Sequence, residues 1–211
     1  NGNIRFGLTA IKSVGRPVIQ AIIEERKERG EFKHLKDFIE RMGGREVNKR
    51  TIENFIKAGV FDSLGGTRKQ FMMIYIQIMD QVNQERKYSM TGQMSLFDLV
   101  DDEQKKEFEI PLPKVGEYEK ENKLAFEKEV LGVYLTGHPL EDYEEKWKKS
   151  ISRTTLDFQI DDETGRSRVR DGAKEIVGGM ITNKTIKYTR NTKTMAFLTI
   201  EVLMGTVEGV V

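Results

Sequence analysis

The stretch Leu8-Thr-Ala-Ile-Lys-Ser-Val-Gly-Arg-Pro-Val-Ile-Gln-Ala-Ile-Ile-Glu-Glu25 decides the fold. Val18, Ile19, Ile22 and Ile23 recur at helical spacing behind Pro17, whose fixed φ suits a first helical turn, and Gly15 gives the backbone freedom just before it. The spacing predicts a helix, a tight turn at Ser13-Val-Gly-Arg-Pro17 and a second helix, with Glu24, Glu25, Arg26, Lys27 and Glu28 solvated. Gly30 closes that helix, and Phe32, Leu35, Phe38, Ile39 and Met42 stripe the next one up to Gly43-Gly44. A second unit repeats the plan. Asn48 is placed to cap a helix carrying Ile52, Phe55 and Ile56; Ala58-Gly-Val-Phe-Asp-Ser-Leu-Gly65 is its turn; Thr67 caps a further helix striped by Phe71, Ile74, Ile78 and Val82. Residues 1 to 87 thus read as two similar helix-turn-helix halves, in which Phe71-Met-Met-Ile-Tyr75 is core packing.

Composition narrows the chemistry. The 211 residues suffice for one or two domains with a normal core. Cysteine is absent, which rules out disulfides, thiolate zinc sites and a cysteine nucleophile, and fits a reducing compartment. His34 and His138 lie far apart, and neither has a second metal ligand at a familiar spacing. The longest strongly apolar run, Phe71 to Met79, is about half of a membrane span and contains Gln77, so no membrane partner is expected. The opening Asn1-Gly-Asn-Ile-Arg5 shows no targeting signal and reads as the start of a segment taken from mid-chain. Charge is balanced overall but not locally: residues 1 to 90 hold 17 Lys and Arg against 11 Asp and Glu, residues 91 to 150 hold 9 against 15, and residues 151 to 211 hold 9 against 8. A polyanion is therefore expected to meet the first segment.

Beyond the helices, Thr91-Gly-Gln-Met-Ser-Leu-Phe-Asp-Leu99 breaks the helical period. It leaves Leu96 and Phe97 in a piece too short to bury itself. Such a pair either folds back onto the domain or, with the Gln93 amide, anchors the chain in a pocket of another protein. Residues 101 to 129 are highly charged, interrupted by Pro111-Leu-Pro113, and read as a linker followed by a helix from about Tyr118 to Val130. In Leu131-Gly-Val-Tyr-Leu-Thr-Gly-His-Pro-Leu140 the Gly137 and Pro139 force a turn, and His138, with no nucleophile or orienting acid fixed beside it, is read as part of that turn. From Ala173 the period becomes that of strands: Ile176 to Ile181, Thr185 to Tyr188, Met195 to Val202 and Thr206 to Val211, with turn residues at Asn183-Lys184, Arg190-Asn191 and Met204-Gly205. This is how a five-stranded OB barrel begins, with room for only three strands before Val211.

The turn of residues 11 to 19 resembles the helix-hairpin-helix motif, in which hairpin amides and a helix N-terminus face one DNA phosphate. Free N–H groups and the positive end of the helix dipole favour an anion there, with Lys12 and Arg16 adding charge. The motif usually has glycine where Ser13 stands and often alanine where Ile19 stands; a plain helical hairpin is the other reading of the same stretch. Ile4-Arg-Phe-Gly-Leu-Thr-Ala-Ile-Lys-Ser-Val-Gly15, Val47-Asn-Lys-Arg-Thr-Ile-Glu53, Lys57-Ala-Gly-Val-Phe-Asp62, Gln93-Met-Ser-Leu-Phe97, Leu131 to Leu140 and Met195-Ala-Phe-Leu-Thr-Ile-Glu201 together resemble, in one order, the family of bacterial DNA polymerase III alpha subunits.

The resemblance implies a mainly α fold, a tandem helix-hairpin-helix, followed by a β meander that begins a truncated OB-fold. It divides the chain into a duplex-DNA-binding domain (1–90), a sliding-clamp-binding loop (91–101), a charged helical connector (102–172) and the first OB strands (173–211). It implies duplex DNA contacts at Lys12, Ser13, Gly15, Arg16, Gly59, Thr67 and Arg68, and clamp contacts at Gln93, Met94, Ser95, Leu96 and Phe97. The parent protein would be a cytoplasmic polymerase that extends primers with magnesium. Its catalytic aspartates would lie outside this chain, which would hold neither catalytic residues nor a cofactor, and a completed OB-fold would meet single-stranded template. Two other classes fit the residues: a stand-alone helix-hairpin-helix repair or recombination protein with an accessory OB domain, and an architectural module without DNA contact.

Overall fold

A computed structural model describes residues 6–44, 47–90, 110–160, 165–188, 194–203 and 205–211. They form two compact units, Asn1–Thr136 and Gly137–Val211. The first is helical: α1 (Arg16–Arg29), α2 (Leu35–Met42), α3 (Lys49–Lys57), α4 (Arg68–Met90) and α5 (Lys120–Leu131). The first four starts have a local cause. Pro17 sits in the first turn of α1. His34 Nδ1 accepts from Asp37 N at 3.0 Å while Asp37 Oδ2 accepts from Lys33 N at 2.9 Å, closing the head of α2 from both sides. Asn48 Oδ1 accepts from Thr51 N at 2.9 Å, and Thr67 Oγ1 from Gln70 N at 3.2 Å, as the sequence predicts for both caps.

The core of this unit is a file of aromatic rings met edge to face. Phe32 packs on Phe38 and Phe38 on Phe61 with centroids 4.9 Å apart, and Phe55 and Phe71 meet Phe61 at 5.9 and 6.4 Å. Such pairs add about 0.5–1.5 kcal/mol each to the burial of their area. Ile11, Val18, Ile22, Met42, Ile52, Ile56, Ile74, Ile78 and Val82 belong to the same core, so both halves share one interior. Val130 of α5 joins the same cluster.

Four expectations are revised. The helix expected from Leu8 is a single 3-10 turn, Leu8–Ala10, because Ile11 is extended and Ser13 turns left-handed at φ 64°. Glu25, expected in solvent, is 1% exposed; Arg41 folds over it, with Nε 3.0 Å from Glu25 Oε1 and Nη2 donating to the carbonyls of Glu25 and Gly30. The expected connector is not one body: residues 110–136 pack within the helical unit and residues from Gly137 onward within the second. Asn183-Lys184 is not a turn but lies within a continuous strand, where the ladder shifts register between Ile181 and Asn183, a β-bulge.

The second unit carries α6 (Glu144–Ser150) and an antiparallel sheet β1 (Met180–Tyr188), β2 (Thr194–Val202), β3 (Gly205–Val210) in sequence order. The register places Ile181, Ile200 and Val207 in one row across the sheet and Ile186 opposite Ala196 in another. Both rows lie on one face. On it Ile181 is 58% and Ile186 50% exposed. Trp147 Nε1 donates to Gly178 O at 2.6 Å, and His138 serves its turn, Nδ1 accepting from Leu140 N at 3.1 Å. Among the described residues no helix is long and apolar enough to cross a membrane, and no group of three His, Asp or Glu is placed to hold a metal ion.

Candidate nucleic-acid interface

The first hairpin is pinned from behind and open in front. Lys12 N donates to Val130 O at 2.8 Å, Asn54 Nδ2 donates to Lys12 O at 2.8 Å, and Lys12 Nζ donates to Glu129 O at 2.8 Å. The ammonium thus lies at the C-terminal end of α5, where the helix dipole favours a cation, and it stays exposed with further N–H groups to offer. Ser13 at φ 64° occupies the position where a glycine would sit without strain. Gly15, extended at φ −78°, ψ 154°, precedes α1, whose first turn has neither a side-chain cap nor an acidic residue. Arg16 and Pro17 are exposed. Among the described residues the Arg16 guanidinium has no hydrogen-bond or ion-pair partner. The loop held by Lys12 and Asn54 therefore leaves Ser13, Gly15 and Arg16 exposed next to the positive end of a 14-residue helix.

The second hairpin is organised differently. Arg68, expected to reach DNA, is 3% exposed. Its Nη2 lies 2.8 Å from Asp62 Oδ2, its Nη1 3.0 Å from Glu127 Oε1, and Nη1 also donates to Lys57 O. Burial alone would lower the Arg68 guanidinium's proton affinity; hydrogen bonds and charge from Asp62 and Glu127 raise it instead. Instead of facing a duplex, this side chain is held inside the unit. Gly59, with φ 76°, lies where any Cβ would strike the Arg68 guanidinium and the Asp62 carboxylate, so its glycine serves that packing. The Thr67 hydroxyl accepts from Gln70 N as a cap, and Lys57 is paired with Glu53 and Glu129, each at 2.9 Å.

Further acids that close this half come from beyond residue 110. Glu127 is fully buried and also accepts from Leu135 N at 2.7 Å and Thr136 N at 2.9 Å. Although burial pushes its carboxyl up, those two amides and Arg68 hold it below the ordinary value. Glu117, Glu127, Asn54 and Glu129 were not singled out by the sequence, since their partners lie 42 to 117 positions away. The clamp residues Gln93, Met94, Ser95, Leu96 and Phe97 lie outside the described residues.

Comparison with known proteins agrees with this geometry. A family model described as a helix-hairpin-helix motif matches residues 1–71, which include both turns. The chain is 32% identical over its whole length to the DNA polymerase III subunit alpha of Borreliella burgdorferi. The chain belongs to the DNA polymerase III alpha subunit family. It is also 31% identical over 98% of its length to the subunit of Mycobacterium tuberculosis and 38% identical over 72% to that of Vibrio cholerae. These matches take in 18%, 17% and 13% of the respective relatives, so the chain spans less than a fifth of a DNA polymerase III alpha subunit.

Proposed function

We propose that this chain is the part of a DNA polymerase III alpha subunit that grips the sugar-phosphate backbone of duplex DNA, through the hairpin of Lys12, Ser13, Gly15 and Arg16. The observation that carries this is the uncapped, acid-free N-terminus of α1, held rigidly beside an exposed arginine in a segment that matches a helix-hairpin-helix model. Contacts of this kind touch phosphate and no base edge, so they position without reading sequence. The whole protein would be a cytoplasmic DNA-directed DNA polymerase that uses magnesium, with its catalytic residues in other parts of the polypeptide.

Two further contacts belong to the reading. Gln93 to Phe97 would seat in an apolar pocket of the sliding clamp, with Gln93, Leu96 and Phe97 as anchors and Met94 and Ser95 as spacers. The three strands would open an OB-fold that meets single-stranded template once complete. Titration of two unrelated duplexes across a salt series tests the central part: log K should fall about 0.9 per log unit of salt for each phosphate neutralised, equally for both sequences. Affinity that changes more with base sequence than with salt would overturn it.

A further inference from the structure

The two hairpins lead into helices that start in opposite electrostatic states. At α1 no side chain among the described residues accepts from the first amides. At α4 every one of them is taken. Thr67 N donates to Gln70 Oε1 at 2.9 Å and Gln70 N to Thr67 Oγ1, while Arg68 N and Lys69 N each donate to the Glu117 carboxylate at 3.2 Å, one to each oxygen. Glu117 is brought there by a strap, residues 110–119, that lies outside the helices; Gln70 Nε2 fixes the strap by donating to Pro113 O at 2.9 Å. Two oxygens of an anion on two successive helix-leading amides is the arrangement that a phosphate takes at a helix N-terminus. Burial would raise the Glu117 carboxyl, but the amides of Tyr118, Arg68 and Lys69, with Lys123 nearby, hold it below the ordinary range, so it stays anionic.

We propose that Glu117 is an internal substitute for a DNA phosphate, closing the second hairpin so that the duplex is held from the first hairpin alone. The idea rests on the duplex-binding reading above, and it adds which half grips and what silences the other. The same segment neutralises the second hairpin's cations: Glu127 takes Arg68 and Glu129 takes Lys57. The acidic stretch that follows the basic one therefore meets it within the chain. Removing the Glu117 carboxylate uncovers two amides and the positive end of a 23-residue helix.

The test uses the 211-residue chain and its Glu117→Ala variant, with Glu117→Gln as a neutral isostere should the alanine form fold poorly. Amide NMR shifts of Arg68 and Lys69 are followed during a sulfate titration at constant ionic strength, and duplex affinity is measured across salt. Sulfate should move both amides in the Glu117 variants and not in the unsubstituted chain. Duplex affinity should rise about eightfold at 0.1 M salt, the gain that one added phosphate contact with a slope of about 0.9 gives. Glu121→Ala removes an equal, exposed charge from the same segment and should do neither. Folded Glu117 variants that show no sulfate shift and no gain in affinity would overturn the proposal even if Arg16→Ala weakens duplex binding. A sulfate shift confined to the Glu117 variants in a chain that binds no duplex would uphold the substituted anion seat and discard the duplex reading.

Discussion

Arg68 Nη1 donates to Glu127 Oε1 across 3.0 Å, and neither side chain is more than 3% exposed. The pair joins the start of α4 to α5, and through Glu127 to the amides of Leu135 and Thr136. Removing one member strands the other in the interior. Glu127→Ala is expected to destabilise the helical unit by about 3–5 kcal/mol, whereas Arg68→Met with Glu127→Leu together should cost less than either single change. Urea unfolding of Glu127→Ala, of Arg68→Met and Glu127→Leu singly, and of the double variant checks the order.

Acid should loosen the same region. Glu117 and Glu127 are both held below the ordinary carboxylate value of 4.5 by hydrogen bonds in the folded chain. A carboxyl depressed on folding stabilises the fold above its unfolded value, and that contribution disappears as pH falls through its folded value. The melting temperature should therefore decline as pH drops below about 4.5, where unfolded carboxyls begin to titrate. Glu117→Gln should show a shallower decline over the same range in a thermal melt at stepped pH.

These two networks also mark what was legible beforehand. Caps at Asn48 and Thr67, the stripes of α2 to α4 and the three-stranded meander all follow from signals within a few residues, and the structure has them. Glu25 was misread because periodicity on α1 does not foresee Arg41, sixteen positions on, folding its guanidinium over that carboxylate. Arg68 was misread for the same kind of reason, since a basic residue at a helix start looks like an anion ligand until Glu127 is brought to it from 59 positions away. The bulge at Ile181 to Asn183 was misread as a turn because Asn183-Lys184 has turn chemistry, and only the pairing of β2 alongside keeps it extended. Local chemistry found the first hairpin; long-range ion pairs decided the second.

Ser13 holds φ 64° without a glycine's freedom. Ser13→Gly should leave the fold intact and change stability by about 1 kcal/mol or less in the favourable direction, as relief of strain outweighs the added freedom of the unfolded chain. Ser13→Val, branched at Cβ, should destabilise by more than about 1 kcal/mol and weaken duplex binding with it. Thermal melts and a duplex titration separate the two effects.

For the clamp reading, Phe97→Ala should cost at least ~2 kcal/mol of clamp affinity, roughly thirtyfold, and Leu96→Ala somewhat less. Gln93→Ala should cost about 1–3 kcal/mol if its amide leaves buried partners unpaired. A pulldown series against the purified sliding clamp, with melting temperatures in parallel, checks this: loss of affinity at unchanged stability supports the anchor, and unfolding at unchanged affinity per folded molecule identifies the two apolar residues as core.

The most direct measurement of the central claim is duplex affinity of Arg16→Ala against the unsubstituted chain, on two unrelated sequences from 50 to 200 mM salt. The open α1 hairpin predicts an equal loss on both sequences and a salt slope smaller by about 1, the signature of one phosphate contact removed. An unchanged slope, or a loss confined to one sequence, would contradict it.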